Sequence, residues 1–196
     1  MKVELKNIKM RVPQYEDSIQ FHADLFINGK HAGEASNDGN GGSCSYEGYT
    51  PEGKKLIHDA EAYFKSLPPI NIADQGENLL LIEQSLEYRI SELSYEYYNN
   101  RERNRMMLKG FVFGQNGVIQ WLEFKKPISH FLKTQNGEDF LKRTLETEVV
   151  PLMKEGDVLF NTNLPASVTE KLSHKQLTMK APRVIKPDKP GRKNRL

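Results

Sequence analysis

The chain has 196 residues with 37% hydrophobic and 28% charged side chains, enough to enclose a core without disulfide staples, which excludes a small disulfide scaffold. Its formal net charge of +2 conceals an asymmetry. From Lys180 to Leu196 seven basic residues stand against Asp188 alone, a net +6, which leaves −4 for the rest.

That C-terminal stretch holds Pro182, Pro187, Pro190 and Gly191 and few large apolar residues, so it cannot bury enough surface to order itself. It reads as a disordered basic tail over 181–196. No apolar run approaches the length of a membrane span, and the N-terminal residues alternate charge with apolar side chains, unlike a secretory leader. A single cysteine, Cys44, can make neither an internal disulfide nor a thiolate zinc site. A cytoplasmic location is expected.

In chain order, residues 2–10 and 18–36 read as a three-stranded antiparallel unit. Ile19, Phe21, Ala23, Leu25 and Ile27 alternate with Gln20, His22 and Asp24, the period of a half-buried strand. Asn28-Gly29 supplies the two positive-φ positions of a type I′ hairpin turn. A glycine-rich loop, Asn37-Asp38-Gly39-Asn40-Gly41-Gly42, then joins the last strand to a helix that starts at Thr50-Pro51-Glu52 and carries Leu56, Ile57, Ala60, Phe64 and Leu67. Pro68-Pro69 stops it.

A longer helix is expected from about Asn78 to Arg105, with Leu79, Ile82, Leu86, Ile90, Leu93 and Tyr97 in one stripe that offers a face for a homodimer. Phe111 to Phe124 reads as a second hairpin turning at Asn116-Gly117. Ile128–Lys133 is a short helical piece, Glu138–Met153 a full helix, and Val158-Leu159-Phe160 a short strand. The fold class is α+β: an N-terminal three-stranded antiparallel sheet plus helix, then a long helix, a second β-hairpin and further helices. The organisation is a 1–75 β-β-β-α unit, a 76–180 helix-hairpin-helix unit that is free to pack with the first as one domain, and the tail.

The glycine loop is the first candidate site, because glycines 39, 41 and 42 let backbone amides converge on an anion. Neither a Walker A motif nor a dinucleotide fingerprint is present. The loop is read either as a phosphate cradle, with Asn37, Asp38, Gly39, Asn40, Gly41, Gly42 and Tyr46 as ligand-binding residues, or as a wide turn closed by Asp38 and Asn40 side chains. Tyr46 and Tyr49 flank it, while Tyr95, Tyr97 and Tyr98 stand beside Arg101, Arg103 and Arg105; tyrosine with arginine suits base stacking, and the plainer reading makes Tyr97 a core residue. With Lys186, Lys189, Arg192 and Lys193 of the tail, these arginines form an alternative nucleic-acid site. Histidines 22, 31, 58, 130 and 174 show no ligand spacing, although His22 and His31 could face each other across the first hairpin, and no catalytic signature is present. No metal, cofactor or catalytic residue is expected.

Three stretches together carry a resemblance: Glu4-Leu5-Lys6-Asn7-Ile8-Lys9, the hairpin Ile27-Asn28-Gly29-Lys30 with Ala32-Gly33, and Ser36-Asn37-Asp38-Gly39-Asn40-Gly41-Gly42. They resemble an uncharacterised family of small bacterial and phage accessory proteins whose loop often reads Ser-Asn-Asp-Gly-His-Gly-Gly. Asn40 takes the histidine's place. Lys109–Phe113, Trp121–Lys125 and Gly156-Asp157-Val158-Leu159-Phe160-Asn161 resemble the family's C-terminal part. The resemblance implies a product of phages, plasmids or integrated elements, a class rich in nonenzymatic binders that include inhibitors of bacterial defence. The expected function is a nonenzymatic binding protein that sequesters or masks a host protein or a phosphorylated ligand. The alternatives are a nucleic-acid-binding protein and, third, a metal-dependent nucleotide hydrolase.

Overall fold

The computed structural model describes residues 1–11, 19–73, 79–115, 118–172 and 194–195. The chain divides into two compact units, Met1–Tyr98 and Asn99–Leu196. The break read from the sequence at residue 75 lies outside the described residues.

The first unit is built on an antiparallel sheet of four strands in chain order, β1 (Val3–Arg11), β2 (Gln20–Ile27), β3 (Lys30–Asn37) and β4 (Ser45–Glu47). The expected alternation on β2 is realised: Phe21, Ala23, Leu25 and Ile27 are buried and Gln20 and His22 exposed. Asn28 and Gly29 turn the chain at φ 50° and 82°. Asn28 also ties the turn to the first strand, its amide donating to the Lys2 carbonyl at 2.8 Å and its side chain accepting from the Lys2 amide at 3.0 Å. On β1, Asn7 at φ 51° marks a register shift between Lys6 and Lys9, so the outer strand carries a bulge beside its lysines, a combination that discourages pairing with a foreign edge.

α1 (Pro51–Lys65) begins as expected, with Thr50 accepting the Gly53 amide at 3.0 Å as N-cap. Gly53 is required by close approach: a Cβ there would stand 2.3 Å from the Ala32 carbonyl oxygen of β3. Ile57, Ala60 and Phe64 of α1 join Leu86 and Ile90 of α2 (Leu86–Lys109) over the sheet in one core. The long helix starts later than the sequence pattern suggested. Leu79–Ile82 is strand β6, paired with β5 (Ile70–Ala73), and α2 begins after Ser85, whose hydroxyl accepts the Tyr88 amide at 2.9 Å. Four consecutive apolar residues fit either period, so Leu79 and Ile82 extended the helical stripe by coincidence. Tyr97, at 39% exposed, is not a core residue.

In the second unit β7 (Gly110–Gln115) pairs with β8 (Val118–Glu123) in the register of a two-residue connection, Gln115 opposite Val118; Asn116 and Gly117 themselves lie outside the described residues. β9 (Val158–Leu159) flanks β7 on its other side. Phe111, Phe113, Leu122 and Phe124 meet Leu141, Leu145 and Val149 on one face, and Val112 joins Met107 and Phe160 on the other. The central strand is therefore buried on both faces.

α3 (Ile128–Phe131) and α4 (Gly137–Thr144) follow. The expected full helix to Met153 is not α-helical throughout: a π-turn at Leu145–Val149 and a 3₁₀ turn at Val150–Leu152 complete it. Pro151 lacks the amide an α-helix would need there, and the wider and tighter turns accommodate it. A short helix, α5 (Ala166–Thr169), closes this part. Of the basic tail, Asn194 and Arg195 form β10, parallel to Leu122 and Glu123 of β8; Lys186, Lys189, Arg192 and Lys193 lie outside the described residues. Among the described residues no helix is long and apolar enough to cross a membrane.

Candidate functional site

The glycine loop does not join a strand to a helix. Ser36 pairs with Ser45, Ala35 with Tyr46 and Glu34 with Glu47, so the loop connects β3 to β4 as the end of an antiparallel pair. The three-residue β4 between Asn40 and Pro51 was not legible, because Ser45-Tyr46-Glu47 is too short to show a period. The consequence is chemical: no helix begins directly behind the loop, and a phosphate there would gain nothing from a helix N-terminus.

The loop is held by its own side chains. Asn37 accepts the Gly39 amide at 2.8 Å and donates to the Gly42 carbonyl at 2.8 Å; Asp38 accepts from the Asn40 amide at 3.0 Å and from the Asn40 side chain at 3.1 Å. Gly39 and Gly41 adopt φ of 86° and 80°. Two amides are thus already engaged, and Asp38 brings a negative charge. Gly41 and Gly42 border open space, since a Cβ at either would meet nothing within 4 Å. They form the mouth of a 120 Å³ cavity lined also by Asn37, Cys44, Ser91 and Tyr95. Within it Cys44 Sγ lies 3.1 Å from Ser91 Oγ.

Tyr46 is turned to other work. Its hydroxyl donates to Glu61 of α1 at 2.9 Å, and burial first, then Glu61, pushes its ionisation up to about 12. Tyr49 donates to Glu34 at 2.8 Å; the same carboxylate oxygen is 3.2 Å from His22 Nε2, and these two contacts, Tyr49 foremost, hold Glu34 below the usual carboxylate range. His22 does not face His31, which packs edge-on against Phe26 at 5.3 Å between ring centres.

Asn37 and Asp38 also border an open depression of 490 Å³ at the ends of β1, β2 and β3, lined by Lys9, Met10, Arg11, Gln20, Phe21, His22 and Ser36 as well. The sequence reading missed this. Lys9 stands opposite His22 and Arg11 opposite Gln20 only through a register set after the bulge at Asn7. Among the described residues neither Lys9 nor Arg11 has an ion-pair partner. Ser36 lies opposite His22, yet the ring nitrogen Nε2 goes to Glu34, and no serine–histidine hydrogen bond forms among the described residues. The arrangement sets two cations, an amide side chain and a hydroxyl beside the Asp38 carboxylate, so its cationic strand ends are where an anionic group would be attracted and oriented.

The arginine set on α2 is split by helix geometry, since positions 101 and 103 are about 200° apart around the axis. Arg103 is half-buried, lies over the Phe160 ring at 5.1 Å and bonds Asn100, and burial lowers its basicity. Arg105 pairs with Glu102 at 2.9 Å. Arg101 and Arg105 are exposed on the side away from Arg103. The three do not form one patch. No three His, Cys, Asp or Glu side chains among the described residues gather where a metal ion could be held.

Comparison with known proteins finds no family model, no curated protein and no solved structure that matches the chain.

Proposed function

We propose that the protein is a nonenzymatic binding protein that sequesters or masks the phosphate or carboxylate of a host protein or small ligand. The depression carries this reading: Lys9 and Arg11, without carboxylate partners among the described residues, stand beside Asn37 and the ordered wall of the glycine loop. The binding residues are Lys9, Arg11, His22 and Asn37, with Gly39 to Gly42 shaping the rim. Because Asp38 would repel an anion placed directly on the loop amides, the cationic strand ends receive the charged group and the loop contacts what carries it. The resemblance to phage and mobile-element accessory proteins supports a role in the bacterial cytoplasm as an inhibitor of host defence.

Inorganic pyrophosphate titrated into the protein and followed by amide chemical shifts tests this. Shifts are expected at Lys9, Arg11, His22 and Asn37, lost in a Lys9→Ala, Arg11→Ala double variant and retained in Arg105→Ala. Shifts confined to residues 180–196, or undiminished in the double variant, would refute it. Native mass spectrometry of the protein recovered gently from bacterial cells then reads the mass of any partner that wild type holds and the double variant releases.

A further inference from the structure

The second unit carries a surface that neither the glycine loop nor the arginine set includes. Phe111 and Phe124 meet in its core at 5.2 Å between ring centres; Phe124 contacts Phe131 at 5.3 Å and Phe140 at 6.0 Å, and Phe131 and Phe140 stack at 5.0 Å with their planes 19° apart. The chain of rings runs from a buried phenylalanine to an exposed one. Phe140 is 45% exposed.

Cations adjoin these rings in the sequence. Lys125 and Lys126 follow Phe124 directly, Lys133 lies two residues beyond Phe131, and Arg143 is three residues along α4 from Phe140, on the same side of the helix. All four are exposed, and none has an ion-pair partner among the described residues. Lys126 instead donates to His130 Nε2 at 3.2 Å. The nearby carboxylates are mostly turned elsewhere. Glu138 accepts from Ser167 at 2.6 Å on the far side of α4, where Lys142 also pairs with Glu170 at 2.9 Å, and Glu123 falls on the strand position opposite in sense to Leu122 and Phe124. Asp139, next to Phe140 in the sequence, is exposed.

An open aromatic ring among unneutralised cations fits a polyanion that also presents flat apolar faces. A duplex hides its bases and an acidic peptide lacks them. We infer that this face binds single-stranded nucleic acid, with a base extending the Phe131–Phe140 stack and phosphates on Lys125, Lys126, Lys133 and Arg143.

The test is fluorescence anisotropy of the full chain with a short labelled oligothymidylate and with a duplex of equal length, each over a salt series. The tail attracts both forms, so the informative readout is the ratio of their affinities. Phe140→Ala is expected to lower single-strand affinity about tenfold and leave duplex affinity unchanged. Phe140→Tyr keeps the packing and the stacking and is expected to bind like wild type. Lys125→Ala with Lys126→Ala should weaken single-strand binding and flatten its log–log salt dependence by about 1.4. Undiminished single-strand binding in Phe140→Ala, equal affinity for duplex, no binding at low salt, or equal displacement by polyglutamate would each overturn the inference, the last in favour of an acidic protein partner.

Discussion

At the residue scale, Asn161 shows how a side chain can complete a sheet. β9 ends at Leu159, yet Asn161 Oδ1 accepts the Val112 amide at 2.7 Å while its Nδ2 donates to the Gly110 carbonyl at 2.9 Å. Phe160 still donates its amide to the Val112 carbonyl at 2.8 Å, and the Asn161 side chain takes the Val112 amide in place of a backbone carbonyl, so the amide group completes the ladder at its end. Upstream, Gly156 turns at φ 87° and Asp157, 4% exposed, accepts the Lys154 amide at 2.8 Å, so Gly156 to Asn161 reads as a turn, a strand and a plug. Asn161 is itself 7% exposed, and removing it strands a buried donor and a buried acceptor together. Asn161→Ala should cost about 2–4 kcal/mol, read as a lower denaturant midpoint at unchanged slope. Asn161→Asp keeps the acceptor for Val112 but loses the donor and buries a charge, so it should be no better. The motif was visible in the sequence; its purpose was not, because no local pattern records that Asn161 reaches a strand 49 residues earlier.

At the element scale, legibility followed the length and regularity of the pattern. The first hairpin and α1 were readable because period, turn residues and cap agreed, Asn28-Gly29 in one and Thr50-Pro51 in the other. The start of α2 was not, since Leu79 and Ile82 happened to continue its helical spacing, and only Ser85, an N-cap without an acidic third residue after it, marked the true boundary. If the Ser85 hydroxyl sets that boundary, Ser85→Ala should cost about 1 kcal/mol and speed amide exchange at Tyr88. Ser85→Asp should restore both, because a carboxylate accepts the same amide and favours the helix N-terminus. Exchange at Tyr88 unchanged in Ser85→Ala would mean that packing of Leu86 and Ile90, both buried, fixes the helix start without the cap.

At the scale of the whole molecule, charge is distributed against the simple sum. A body of net −4 repels polyanions at long range, while seventeen terminal residues with net +6 attract them, so the response of the chain to a polyanion depends on which charges reach it. The candidate sites were only partly readable for the same reason. The basic tail and the glycine cluster are contiguous and stand out in the sequence. Lys9, Arg11 and His22 become neighbours through strand register, and Lys126, Lys133 and Arg143 through the packing of Phe124, Phe131 and Phe140. Deleting residues 180–196 separates these contributions. The truncated chain should lose duplex DNA binding at low salt, and if all six net charges meet phosphates the log–log salt slope should fall by about 5. Pyrophosphate shifts at Lys9 and Arg11 should survive the deletion, because the depression draws on strand ends that the tail does not supply. Loss of both responses together would place the anion contact in the tail, and the cations of the first unit would then serve to guard the edge of β1 against foreign strands.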